Sequence, residues 1–235
     1  MSAENTQEAI DNGQWAMNKE PAVINDHPMV VKIFAHLFSY IFHPLFIPLY
    51  AVCFLVYYHP SYFSGFNPYD KYKLVLTTVL NTVFFPAFAV LLMKGLGFIQ
   101  SIFLRTQPDR IGPYLATMIF YFWAARVFFK FEPQLAPVLP SFMTGVLITT
   151  VVGLLSNIYF KISMHAMGVG GLVGLFLLVM QSNSMLMTWP LCIALLMAGL
   201  VCTSRLVVSD HQPREIYLGL LAGLLCQFTA AMVIL

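Results

Sequence analysis

Two short polar islands interrupt an otherwise apolar chain. One is Ser163-Met164-His165. The other is Ser204-Arg205, followed after five residues by His211 and after three more by Glu215. Each lies at the end of a stretch long enough to cross a bilayer. Ionisable side chains at membrane depth are costly and mark functional positions. Serine, arginine, two histidines and a carboxylate together meet the needs of phosphoryl transfer: a nucleophile, an acid, and cations for the phosphate.

The residue types divide the work. A phosphate ester needs its negative charge neutralised as phosphorus is attacked. Arginine does this with a planar fork of donors that stays charged at any relevant pH. Arg105, Arg110 and Arg205 are the candidates. A neutral imidazole can attack phosphorus and form a phosphohistidine, which splits one hard step into two. His211 is the expected nucleophile. If a helix begins near His211, the spacing to Glu215 puts both side chains on one face. The carboxylate then orients the ring and stabilises its positive charge. His165, at the start of a helix, is the expected acid for the leaving oxygen, beside backbone N–H groups that attract phosphate. General acid catalysis of this kind contributes about 10²–10⁴-fold.

These residues must be positioned by membrane helices. The chain has 235 residues, 59% hydrophobic and 9% charged, whereas a soluble domain carries about 25% charged residues. The composition predicts an all-α, polytopic membrane helical bundle with its site at one membrane face. The net charge of +2 gives no footing for nucleic acid. Seven apolar stretches are long enough for a helix across about 30 Å of hydrocarbon, at roughly 32–58, 73–94, 112–130, 138–160, 165–187, 189–207 and 215–235. Six to seven transmembrane helices are therefore expected. None shows the alternation of a membrane barrel. His43-Pro44 and Pro48 should kink or break the first stretch. Residues 1–28 form a polar N-terminal tail without a signal-peptide pattern, and 29–235 form a single transmembrane domain.

Counting crossings from the 95–111 loop places Arg105, Arg110, His165, Arg205, His211 and Glu215 at one membrane face. If the first two stretches also each cross once, the N-terminus shares that face. Other residues have blander readings. The four cysteines lie in apolar stretches without CxxC spacing, so neither a disulfide nor a metal site is expected. His36, His43 and His59 lack an acidic partner at helical spacing and read as kink or interface residues. Arg126 and Lys130, on the opposite face, snorkel. Asp109 and Asp210 adjoin arginines and balance charge. Gly168-x-Gly170-Gly171-x-x-Gly174 and Gly219-x-x-x-Gly223 read as close helix packing, since no strand precedes the first as a nucleotide loop requires.

The islands resemble the signatures of the type 2 phosphatidic-acid phosphatase superfamily. Ser204-Arg205-x5-His211-x3-Glu215 looks like its third motif, S-R-x5-H-x3-D. Ser163-Met164-His165-Ala166 looks like the second, P-S-x-H. Arg110-Ile111-Gly112-Pro113, with Arg105 upstream, is similar to the first, K-x6-R-P. The resemblance covers roughly residues 70–235. Glu215 stands where the pattern has aspartate, and Ile162 where it has proline. In the first motif Arg105 lies five residues before Arg110, and Pro113 follows two residues later than the pattern has it. The resemblance implies an integral membrane phosphatase, of the bacterial inner (cytoplasmic) membrane. Its substrate would be a lipid phosphate or diphosphate: phosphatidic acid, phosphatidylglycerol phosphate or a polyprenyl diphosphate. It implies catalysis by His211, His165 and Glu215, with phosphate held by Arg205, Arg110, Arg105, Ser163 and Ser204. No cofactor or metal is called for, because the set lacks clustered carboxylates and zinc spacing. A lipid phosphotransferase and a non-catalytic lipid-phosphate binder or transporter are the alternatives. The side of the membrane that holds the site stays open, as does the oligomeric state.

Overall fold

A computed structural model describes residues 28–59, 61–102, 104, 106–182, 187–208 and 211–235. Arg105, Asp210 and all but the last residue of the N-terminal tail lie outside these. Among the described residues there are eight helices and no strand: α1 (Met29–Ile41), α2 (Ile47–Tyr58), α3 (Pro68–Gly95), α4 (Gln107–Phe129), α5 (Val138–Tyr159), α6 (Met164–Ser182), α7 (Thr188–Val208) and α8 (Pro213–Ile234). Six of them, α3 to α8, are long and apolar enough to cross a membrane.

Local chemistry sets the helix starts. Asn67 caps α3 by accepting from the Asp70 N–H at 2.8 Å, with Pro68 in the first turn. Thr106 caps α4 by accepting from the Asp109 N–H at 3.3 Å, with Pro108 following. Proline is tolerated in a first turn because its missing N–H has no helical partner there, and the cap satisfies a neighbouring one. Inside α3 a wide π turn, Leu80–Phe84, precedes Pro86 and lets the helix continue past it.

The first apolar stretch is not one crossing. It breaks at 42–46 into α1 and α2. α1 has 13 residues and is about 20 Å long, well short of a hydrocarbon core of about 30 Å. The break falls at His43-Pro44, because the residue before a proline is pushed out of the helical region. α1 lies against α7, burying Ala35 and Ser39. α2 packs on α3, α5 and α6, carrying Ile47, Ala51, Val52 and Leu55 into the core.

α6 is central, with neighbours α2, α5, α7 and α8. Its closest partner is α8, and glycine is the reason. A Cβ on Gly223 would sit 2.0 Å from the Met167 carbonyl oxygen, and one on Gly170 would sit 2.1 Å from that of Leu220. Without side chains the two backbones touch. Deeper in the same interface the buried Gln227 side chain fills room left by Gly145 and Gly174. The glycine pattern is thus helix packing, as expected. Outward, large apolar side chains such as Ile119, Trp123, Ile158 and Leu196 face the surroundings. Tyr57, Tyr58, Tyr69, Tyr72 and Trp189 are exposed at one end of the bundle, and Tyr40, Tyr159 and Tyr217 at the other. Aromatic rings at both ends suit the two water–lipid boundaries. The chain is an integral membrane protein.

Candidate functional site

One cavity of about 630 Å³ gathers residues from three helix ends and three links. Arg110 comes from the first turn of α4, Lys161 from the α5–α6 link and His165 from the first turn of α6. Arg205 comes from the last turn of α7, His211 from just before α8, and His43 from the α1–α2 link. The volume suits a small-molecule headgroup, since such sites occupy about 300–1,000 Å³.

Hydrogen bonds between chain segments fix this end of the bundle. Gln107 donates to the Asn157 carbonyl at 2.8 Å and Asn157 donates back to the Gln107 carbonyl at 2.9 Å, pinning the start of α4 to the end of α5. Arg110, buried, donates from Nε to the Leu104 carbonyl at 2.9 Å and from Nη1 to the Ile162 carbonyl at 3.0 Å. Leu104 takes φ +50°, a region costly for leucine. The bond to Arg110 holds it there. The Ser163 N–H donates to the Glu215 carbonyl at 3.3 Å, joining the start of α6 to the start of α8.

His211 and Glu215 meet, though not by the expected route. α8 begins at Pro213, so His211 lies outside the helix. Gln212 is the N-cap, and Glu215 completes a capping box by accepting the Gln212 N–H at 3.2 Å. The same Oε2 stands 2.7 Å from His211 Nδ1. Burial, and then the positive charges of Arg110, Arg205 and Lys161, push the His211 pKa down to about 3. A hydrogen bond to the Lys161 backbone carbonyl opposes the shift, as does the neighbouring Glu215 carboxylate. One carboxylate faces both burial and three cations, so the downward direction stands. The ring is neutral near pH 7, and it is held between Glu215, at Nδ1, and the Lys161 backbone carbonyl.

His165 reaches the Ser39 carbonyl through Nε2 at 3.2 Å. A carbonyl only accepts, so Nε2 carries a proton and Nδ1 is the atom that gains and loses one. The His43 ring stands edge-on to His165, with centroids 5.2 Å apart. The Leu45 N–H donates to His43 Nδ1 at 3.4 Å, which leaves the His43 proton on Nε2. Burial first, then Arg205, lowers the His43 pKa to about 4, so this ring too is neutral.

Of the expected site residues, Arg110, His165, Arg205 and His211 line one cavity, and Glu215 supports His211 from behind. Arg105 lies outside the described residues. Ser163 and Ser204 are not brought to the cavity. The Ser163 hydroxyl accepts the Ala166 N–H at 3.4 Å, within the first turn of α6. The Ser204 hydroxyl donates to the Leu200 carbonyl at 2.7 Å, within α7. Each serine hydroxyl is spent on backbone, the usual competition for short polar side chains. Three basic cavity residues lie outside the expected set: His43 and His36, read as kink or interface residues, and Lys161. The break at His43-Pro44 was the signal for the first. Among the described residues no three His, Cys, Asp or Glu side chains come together as a metal site.

A second, apolar cavity of about 140 Å³ meets the first at His43, Leu104 and Met164. It runs between α2, α3, α4, α5, α6 and α8. Comparison of the chain with protein-family models, with curated proteins and with solved structures found no match.

The lowered His211 pKa has a direct test. A ring with an ordinary pKa of 6.5 titrates between pH 7.5 and 5. The ¹³C signals of the His211 ring should show no protonation across that interval. Folding linkage has a matching sign. The unfolded ring binds a proton that the folded ring refuses, so His211 contributes stability above about pH 6.5 that is lost progressively as pH falls toward 3.

Proposed function

We propose that the protein is a membrane-embedded phosphatase that hydrolyses a lipid phosphate or diphosphate through a phosphohistidine intermediate. The observation that carries this reading is the 2.7 Å pair of His211 and Glu215, at a cavity that Arg110, Arg205 and Lys161 also line. A site that only bound phosphate needs the cations. It has no use for a carboxylate that holds an imidazole in one tautomer. The resemblance of the two islands to the type 2 phosphatidic-acid phosphatase pattern points the same way, and the adjoining apolar cavity suits a hydrocarbon chain better than water.

The chemistry balances as two displacements. His211 Nε2 forms a bond to phosphorus as the bond from phosphorus to the leaving oxygen breaks. That oxygen takes a proton from His165 Nδ1, which the neutral ring first draws from the phosphate hydroxyl of the bound substrate. Water then attacks the phosphohistidine, gives its proton to His165 and frees inorganic phosphate, and His211 returns to its neutral form. Arg110, Arg205 and Lys161 offset the charge on the transferring group in both steps.

The deciding experiment is phosphate release by the purified protein from a panel of lipid phosphates and diphosphates. Release is expected in the presence of EDTA, because the proposed steps use no metal. Loss of activity in EDTA, restored by one divalent ion, would contradict the mechanism. A second expectation concerns Glu215→Gln. Glutamine still completes a capping box, so the helix start survives and only the charge is lost. We expect kcat to drop by about 10–100-fold with KM little changed, the signature of an interaction made chiefly in the transition state. A rise in KM alone would assign Glu215 to binding.

A further inference from the structure

The link that breaks the first apolar stretch puts an imidazole where the two cavities meet. His43, Leu104 and Met164 line both. His43 therefore stands between the polar space that suits a headgroup and the apolar space that suits its chain. It lies outside the span of roughly 70–235 that resembles the phosphatase pattern, and no step of the proposed mechanism uses it.

The backbone fixes what this ring can do. Pro44 has no N–H, so the first one after His43 belongs to Leu45. That N–H donates to His43 Nδ1 at 3.4 Å. The proton of the neutral ring is thus on Nε2, which is a donor. The rings of Phe46 and His165 hold it on two sides, edge-on, with centroids 6.3 and 5.2 Å away. His59 shows the contrast. A proline follows it as well, and its Nδ1 takes the Ser61 N–H at 3.4 Å. Its Nε2, however, is sealed inside the protein without a partner. Among the described residues His43 Nε2 has no partner either, but it is not sealed, so it opens on the space the ring lines.

The site has use for such a donor. Arg110 gives Nε and one Nη1 hydrogen to the Leu104 and Ile162 carbonyls, so it does not present a full fork to a ligand. A further cation in the place of His43 would oppose the proton that His165 carries during the reaction. A neutral imidazole donates without that penalty.

We propose that His43 Nε2–H donates a hydrogen bond to the bridging oxygen of the phosphate ester, holding it at His165 Nδ1 while its bond to phosphorus breaks. The proposal rests on the phosphatase reading of the site. The bridging oxygen joins headgroup to chain, as His43 joins the two cavities. Negative charge gathers on that oxygen as it leaves, so the hydrogen bond strengthens in the transition state. His43 gives up no proton. The one that the oxygen gains is the one His165 carries.

Leaving groups supply the test. Turnover of a long-chain alkyl phosphate, and of an alkyl-substituted nitrophenyl phosphate whose phenolate needs little help to leave, is measured for the intact protein, His43→Phe and His43→Gln. Phenylalanine keeps a ring without the donor. Glutamine puts an amide N–H near the place of Nε2. On the alkyl phosphate we expect His43→Phe to lower kcat by about 10–100-fold with KM little changed, the range of a hydrogen bond to a charged group, and His43→Gln to recover most of the loss. On the nitrophenyl ester the loss should be about 3-fold or less. His59→Phe is the control and should turn over both esters as the intact protein does. Equal losses on the two esters in His43→Phe overturn the proposal, and so does no loss on either. If no ester releases phosphate, the phosphatase reading fails, and ¹⁵N spectra of the histidines in the intact protein decide the contact separately. The alkyl phosphate should shift the His43 Nε2 signal, whereas a phosphonate of matched length, with a methylene for the bridging oxygen, should not. Equal or absent shifts overturn the contact. The same spectra, taken on His211→Ala, decide it should His43→Phe not fold.

Discussion

Replacing His211 by alanine is expected to abolish phosphate release, a loss on the order of 10⁴-fold or more, as when the nucleophile of a covalent mechanism is removed. The imidazole is the only group the mechanism gives a bond to phosphorus. Its Nδ1 is committed to Glu215 at 2.7 Å, so the proposed attack is by Nε2, with the ring released from the Lys161 carbonyl as substrate enters. Alanine leaves Glu215 free to keep its bond to the Gln212 N–H, so the start of α8 should persist. The variant should still insert, and should still bind lipid phosphate through Arg110, Arg205 and Lys161. Rapid mixing of the intact protein with labelled substrate should trap one acid-labile, base-stable phosphoryl group per chain, absent from the variant. Wild-type turnover by His211→Ala, or a phosphoryl group trapped on another residue, would overturn the assignment.

The largest effect on stability is expected at Gly223. Valine there puts a Cβ 2.0 Å from the Met167 carbonyl oxygen. That neighbour is helix backbone and cannot swing aside. Relief requires α6 and α8 to separate along their whole contact, at a cost of about 3 kcal/mol or more. The start of α8 would move with them. The Ser163–Glu215 backbone bond would break, and His211 would shift in the cavity it lines. Gly223→Val should therefore lose both unfolding resistance in detergent and activity. Gly199→Ala is the control. No atom lies within 4 Å of a Cβ there, and alanine is the better helix former by about 1 kcal/mol, so that variant should be unchanged or more stable. Equal behaviour of the two variants would refute the packing role of Gly223.

Much of the fold is legible in the sequence because a bilayer imposes a length. Each of the six later apolar stretches is about as long as the hydrocarbon is thick, and each is a long helix. Counting crossings then brings Arg110, His165, Arg205 and His211 to one end, although about a hundred residues separate the first from the last. The first stretch defeats that logic. Residues 32–58 are apolar enough to cross, but His43-Pro44 divides them, and hydropathy alone does not reveal on which side of a break a residue will lie. His43 therefore reads as a kink and is found in the cavity. The serines mislead for another reason. A motif names Ser163 and Ser204 without saying whether backbone or ligand takes the hydroxyl, and a helix supplies a carbonyl or N–H within reach of each.

Glu215 links two events that are usually separate. One of its oxygens closes the start of α8 and also steadies His211. A proton on that carboxylate weakens both contacts together. Acid should therefore silence the proposed phosphate release and unravel the first turn of α8 with the same midpoint, so that deuterium uptake at the Gln212 amide follows the activity curve. The catalytic group would be switched off by local melting, while the glycine-locked pair of α6 and α8 below it stays closed to exchange.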